Sequence, residues 1–490
     1  MKKLFRLTSL ALLFGAGCLF GLSGCSDDNG DSFKELAFEL DTEAVGDGTA
    51  PVLLPSGKTF AIPYHADGAT AIEAAAATNG WQVSVDEANS QIVVTAPEAD
   101  AEGGKTFTLK LTATGSGNQS ITTEGIDFYH LTFDDPEGTF ILNEGNMTTE
   151  NGSLTYITPE GYIVDDAYKL VNGTEMGNVT QDMCFHDGKI YIISQNGATN
   201  PEGSSFENDG MLIVADAKTL QKVKSFDKEE LPGLDWPTHI AVIDEQHVYI
   251  RDNAGVWHLN MDDMSLTFVN GSTKAPKNQF TVINGEIYFP MNGLLASLKK
   301  IDPATDQVSS VANMAFWSAS TMINYFLGIA PSDDGNLWIV GTSDSKGGQN
   351  GEISLSKLDL ATETLTQNML SAQPNGVYGR CFAAHGNTIY YSSDTSIFRA
   401  NFDPEAQGGF VDEMLFDLYD LDDNARMTYN GLGVHPITGH VFINTLKGFG
   451  NDFRTNAIWE FDFDTSMEEP VRKFENYLNF PAGVYFNTQQ

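Results

Sequence analysis

Three small groups of side chains in this sequence are of types that could do chemistry. His239, Asp182 and Glu144 could supply a general acid and base if the fold brought them together. His186, His385 and His435 each follow an apolar run and resemble a metal-binding set, but equivalent slots in a repeated architecture are spread apart, so they read better as turn residues. The acidic stretch DLYDLDDN (417–424), with Asp333 and Asp334, offers oxygens that could hold calcium, yet it lacks the spacing of a calcium loop and reads as solvated turns. No G-x-S-x-G elbow, H-E-x-x-H, paired C-x-x-C or P-loop occurs. GSGNQS (115–120) only grazes a glycine-rich motif. The residues therefore call for binding chemistry, with no catalytic residue, no metal and no cofactor.

A fourth and larger group carries that binding chemistry. Gln181, Asp182, Trp236, His239, Tyr325, Tyr378, Arg380, Tyr429, Asn430 and Phe480 stand near the starts of apolar runs. Asn143, Glu144, Asn146, Gln195, Asn196, Arg251, Asp252, Asn253, Asn292, Asp394 and Lys447 stand near the ends of others. Aromatic planes give contact area at low entropy cost and amides give directed hydrogen bonds, a combination suited to a large, flat, polar ligand. Individually these residues have plainer readings: Trp236 as packing between repeats, Asp252 and Asn253 as turn formers.

The elements that must position them are repeats. An apolar strand, a short turn with Gly or Asp and a second apolar strand recur six times: 178–185 with 188–194, 236–243 with 246–252, 277–283 with 285–291, 325–332 with 335–341, 378–385 with 386–392, and 428–435 with 439–445. GTFILNEGN (138–146) is a second strand without a predecessor, and FPAGVYFN (480–487) a first strand without a successor. Pairing these two gives seven units with a period of about fifty residues, the signature of a seven-bladed β-propeller over 138–490, closed so that no sheet edge is left unpaired. Strand direction then sorts the loops. Those after the second strands are long at 143–153, 194–210, 342–352 and 446–456, and the apolar connection 313–326 lies at the same face. Long loops on a rigid scaffold are where binding resides, so this face is the expected ligand face and the histidine turns lie on the other.

Residues 33–133 have a different rhythm, with short alternating runs such as KTFAIPYHA, WQVSVDE and KTFTLKLTA between Gly, Asn and Asp turns. They read as a small Ig-like β-sandwich, making the chain all-β. The alanine-rich segment 71–78 fits either a helical turn or a loop. A spacer role is expected for this domain, with glycan binding as the alternative.

Residues 1–24 combine a basic start, an apolar run and small residues, which describes an export signal. Leu22, Ser23, Gly24 and Cys25 resemble a bacterial lipobox, which implies a lipidated Cys25, an acidic tether over 25–32 and attachment to a membrane through lipid only. Cys18 lacks the leucine three positions earlier. SDDNGD after Cys25 resembles the label for the outer face of the outer membrane in Bacteroidota. Cys184 and Cys381 fall on different, non-adjacent repeats and read as small buried hydrophobes, not a disulfide. The formal charge is −39, and removing 1–24 makes it more negative, which sets aside nucleic acid and anionic headgroups as partners.

With GTFILNEGN opening the ring and NVTQDMCFHDGKIYIISQNG and WPTHIAVIDEQHVYIRDNAG following, the chain resembles a Bacteroidota family of surface-lipoprotein propellers that includes, or closely neighbours, the BtuG-type cobalamin-binding lipoproteins. The resemblance implies capture of a corrinoid, of the vitamin B12 type, at the cell exterior and its transfer to a TonB-dependent outer-membrane transporter. Two other readings stay open: a receptor for a glycan or other nutrient, and a propeller enzyme of the lactonase or quinone-dehydrogenase type.

Overall fold

The computed structural model describes residues 34–46, 48–101, 104–197, 208–316, 323–344, 352–375, 381–406 and 412–488. Cys25, Tyr378 and Arg380 lie outside the described residues, as do parts of the long loops at 194–210, 313–326 and 342–352.

From Thr139 onward the described residues form seven four-stranded antiparallel sheets in chain order. Six are consecutive four-strand meanders. The remaining sheet takes its second, third and fourth strands from Thr139–Asn143, Ser153–Ile157 and Ile163–Val164 and its first from Pro481–Phe486 at the other end of the chain. Ile141 sits opposite Val484 and Phe140 opposite Tyr485, so the two ends of this region are hydrogen-bonded side by side in a propeller-like ring. Buried apolar residues pack between neighbouring sheets. One cluster joins Ile141 and Ile157 to Phe442, Leu446 and Ile458 of the last meander, and another joins Tyr191, Ile193 and Leu212 to Ile240, Val248 and Ile250.

Because the strands alternate in direction, one face collects the turns between first and second and between third and fourth strands; we call it the lower face. The upper face collects the loops after second strands and the connections between sheets. Lower-face hairpins are compact where Asp187-Gly188 and Asn284-Gly285 adopt positive φ at both turn residues (46° and 68°, 52° and 76°), matching the twist of the strands they join.

Residues 37–131 form three small sheets around Ile62, Trp81, Ile92, Val94, Leu109, Leu111 and Phe128. The alanine-rich segment is neither helical turn nor wholly loop: Ala69–Ala74 is a strand paired with Leu111–Gly115. This domain shares a core with the ring, since Tyr129, Leu131 and Phe133 pack with Phe140, Tyr156 and Ala215. Tyr129 Oη donates to Glu160 at 2.7 Å, Phe133 N donates to Lys218 O at 2.8 Å, and Lys218 pairs with Asp100 at 2.9 Å. Glu160 and Lys218 both lie in lower-face turns, so these contacts leave the upper face clear.

Cys184 and Cys381 are free, and burial pushes both thiols up, Cys381 to about 12. They are inert packing groups at neutral pH.

Candidate functional site on the upper face of the ring

The expected site residues divide into those the fold consumes and those it presents. Asp182 belongs to the first kind. From the first strand Asn178–His186 its Oδ1 accepts from Tyr485 Oη at 2.7 Å and Met183 N at 3.0 Å, and its Oδ2 accepts from Ile240 N at 3.1 Å and lies 3.2 Å from His239 Nδ1. That nitrogen faces a carboxylate oxygen and must carry the proton. The pair that could have served acid–base chemistry is buried, with His239 only 2% exposed, and it ties three sheets together. Arg251 turns inward to Ala275 O (3.1 and 3.0 Å) and Thr238 Oγ1 (3.2 Å). Asp252 accepts from Asp235 N, Ala254 N and Gly255 N, as a turn-forming carboxylate does. Asn143 is buried, donating to Thr155 Oγ1 at 3.1 Å and accepting from Asn479 N at 3.1 Å. Asn146 shapes its own loop through Thr148 N and Oγ1.

The presented group lies at the upper mouth of the channel. Glu144 N donates to Phe480 O at 2.7 Å, and Glu144 Oε1 accepts from Asn430 Nδ2 at 3.1 Å, joining the closing sheet to the last meander. Gln195 Nε2 donates to Gln181 Oε1 at 3.3 Å in the next sheet. Phe480 stacks on Phe453 (4.6 Å between centroids, 23°) and meets Tyr429 edge-on at 5.6 Å, with Phe449 stacked beyond at 6.2 Å and 63% exposed. Lys447 flanks this cluster, 4.0 Å from Asp452. Trp236 is 38% exposed between two sheets, and Tyr325 is half-buried near the start of Ile323–Pro331.

Backbone geometry marks the same rim. Val179, second residue of its first strand, and Trp236 and Phe480, just before theirs, each have positive φ (57°, 54° and 54°). For bulky side chains this is an outlier, costing about 1–3 kcal/mol each. Trp236 and Phe480 also precede prolines, which ordinarily hold the preceding residue in extended conformation. Such strain persists where the surroundings over-determine it and clusters at binding sites. Phe480 is held by its carbonyl bond to Glu144 N and by the stacking of its ring on Phe453. The sequence showed which aromatics were there but carried no sign of this strain. Phe449 and Phe453 were missed as individual residues, although the 446–456 loop that carries them was singled out for its length.

Exposed large apolar side chains are more numerous on this face: Met147, Trp236, Leu294, Leu295 and Phe449 lie in upper-face loops and Ile323 at the upper end of its strand, whereas the described lower-face turns expose Ile437, Met467 and Val471. The lower half of the channel holds a cavity of about 720 Å³. It is walled by Phe185, Ile240, Val242, Phe280, Val282, Val484 and Phe486, with Asp182 and Tyr485 on its wall. Strand direction alone had not suggested this hollow.

The other chemical candidates are absorbed by structure. His435 is buried against Phe486, its Nδ1 accepting from Ile437 N and Thr438 N at 3.2 Å; burial lowers its pKa to about 4. In the acidic stretch, Asp417 caps the short helix Leu418–Leu421, and the Lys473 ammonium sits 2.7 Å from both Asp422 and Glu475, where a cation would lie. Asp333 accepts from Gly386 N and Asp334 pairs with Lys357. Among the described residues no group of His, Cys, Asp and Glu could hold a metal ion.

Residues 137–487 match the model of a family described as a domain of unknown function, DUF5074. No curated protein matches the chain. Among solved structures it is similar to a quinonprotein alcohol dehydrogenase-like protein from Bacteroides thetaiotaomicron, at 13% identity and a TM-score of 0.54, over 93% of this chain and 100% of that one. At that identity the likeness speaks for the fold, and it spans the N-terminal domain as well as the ring. Slighter likenesses are to regucalcin, a calcium-binding protein from Agrobacterium tumefaciens (14% identity, TM-score 0.32, 49% of this chain and 72% of that one), and to dipeptidyl peptidase 4 from Porphyromonas gingivalis (11%, 0.36, 70% and 52%).

Proposed function

The chain belongs to the DUF5074 family, and on that premise we propose that it is a lipid-anchored surface protein that captures a nutrient without chemically altering it. Its ring is read as a seven-bladed propeller, its N-terminal domain as an Ig-like spacer, and its ligand, in first place, as a corrinoid handed to a TonB-dependent transporter. One observation carries the reading: two strained aromatics, Trp236, exposed, and Phe480, partly buried against Phe453, with amides between them, crown one mouth of the ring while contacts to the N-terminal domain are made at the other. A rigid aromatic surface with amide donors and acceptors suits a broad planar macrocycle carrying amide side chains. Non-catalytic capture is favoured because Asp182 and His239, the pair placed for proton transfer, spend their hydrogen bonds on joining sheets.

Titration of soluble protein spanning 26–490 with cyanocobalamin tests the ligand. Heat and co-elution at micromolar concentration support it; neither at that concentration sinks the corrinoid assignment. Capture of glycans on an array, or a metal or quinone carried through purification, would move the assignment to the receptor or enzyme alternatives.

A further inference from the structure

A second hollow opens on the upper face, outside the aromatic mouth, where the closing sheet meets the last meander. It has a volume of about 580 Å³, within the range of small-molecule sites. Its wall comes from three places: Glu150 and Ser153; Asp165, Asp166 and Lys169 at the short helix Ala167–Asn172; and Phe453 and Arg454 with the segment Asn476 to Asn479. Arg454 pairs with Glu150 across the gap, and Lys169 pairs with Glu175 at 3.1 Å. The wall's two cations are thus already engaged, and with Asp165 and Asp166 beside them the groove does not suit an anion. With both cations paired to carboxylates the wall offers a cationic ligand little net field, and the density of carboxylates, amides and the Ser153 hydroxyl disfavours an apolar one. What fits is a neutral molecule with many hydroxyls, able to donate to carboxylates and accept from amides and guanidinium at once. Tyr477, half-buried in the floor, offers a ring face for sugar C–H groups. Among the described residues the buried Asn479 Oδ1 has no hydrogen-bond donor, so it can accept from a ligand hydroxyl. Asp166 caps the short helix, its Oδ1 accepting from Lys169 N at 3.2 Å, and burial raises its carboxyl to about 7.

We propose that this groove between the closing sheet and the last meander is a saccharide site, sized for one or two sugar rings, which adjoins the aromatic mouth across Phe453 but lies away from Trp236. It goes beyond the capture reading above and does not depend on which ligand the mouth takes.

The test uses soluble protein spanning 26–490 and a probe set of glucose, galactose, mannose, N-acetylglucosamine, lactose and cellobiose, each read by saturation-transfer NMR and titration up to about 10 mM, the weak end of specific recognition. The site predicts that at least one probe binds, that it protects backbone amides around 150–153 and 476–479 from hydrogen exchange, and that Asp165→Asn and Asn476→Gly each weaken it by about tenfold or more. Asn476 has positive φ (66°), so glycine removes the amide without straining the turn. Trp236→Ala should leave saccharide binding unchanged. The proposal is overturned if no probe binds, if protection appears elsewhere, or if the groove variants keep full affinity. Because the aromatic mouth is read with cyanocobalamin in the same samples, failure here and failure of the capture reading are distinguishable.

Discussion

The two faces of the ring are built from the same strands yet treated in opposite ways. On the lower face the chain turns back tightly at Asp187-Gly188 and Asn284-Gly285, where turn-forming residues bear positive φ at little cost, while Leu220 and Met264 bear it in turns between third and fourth strands. On the upper face positive φ falls on Val179, Trp236 and Phe480, where it is expensive. The lower face carries the contacts to the N-terminal domain and buries His435, while the upper leaves Trp236, Phe449 and Leu294 in solvent. Between them, the Tyr485 hydrogen bond to Asp182 ties the closing sheet to the first meander. Bulky residues sit at positive φ on both faces, so what sets the upper face apart is that Trp236 is strained and left 38% exposed while Leu220 below is fully buried, and a strained aromatic in solvent is where recognition is expected.

The contrast can be broken or sharpened by substitution. Asp182→Ala should have the largest effect, because it leaves His239, Tyr485 Oη and Ile240 N without their shared acceptor; we expect a loss of about 3–5 kcal/mol in urea unfolding, with ligand affinity of the surviving folded fraction little changed. Acidification comes next. His435 has a folded pKa lowered to about 4, below its unfolded value, so the unfolded chain binds a proton first and stability falls as pH drops from about 6.5 to 4, by on the order of 3 kcal/mol. His435→Gln should flatten that part of the pH profile of the melting temperature. On the upper face, Trp236→Ala and Phe449→Ala should each weaken cyanocobalamin by about ten- to a hundredfold, as loss of an aromatic anchor does, while melting stays within a degree or two. Smallest of all, His186→Ala at a lower-face hairpin should change stability by less than about 0.5 kcal/mol and affinity not at all. Loss of affinity on that change would erase the distinction between the faces.

Much of the strand order could be read from the sequence because each repeat advertises two apolar runs with a turn between them, and because GTFILNEGN and FPAGVYFN were each left without a mate. Side-chain use was far less legible. Asp182 and Tyr485 are 303 residues apart, and nothing local to either says that one will hold the other. Arg251 and Asp252 have the composition of ligand-binding groups, but strand direction places only their backbone at the rim; whether the side chain turns in or out depends on carbonyls such as Ala275 O that arrive from another part of the chain. The strain at Trp236 and Phe480 was hidden for a similar reason, since a residue before proline normally predicts extended backbone. The lower cavity and the groove beside Arg454 are shapes left between sheets, which a pattern of residue types does not encode.

Isothermal titration of cyanocobalamin into the soluble chain, its Trp236→Ala form and its His186→Ala form, run side by side, bears most directly on the claim that recognition belongs to the upper mouth. We predict micromolar or tighter binding for the parent and the His186 variant, and a clear loss for the Trp236 variant. Silence in all three, or a loss that follows His186 in place of Trp236, would contradict it.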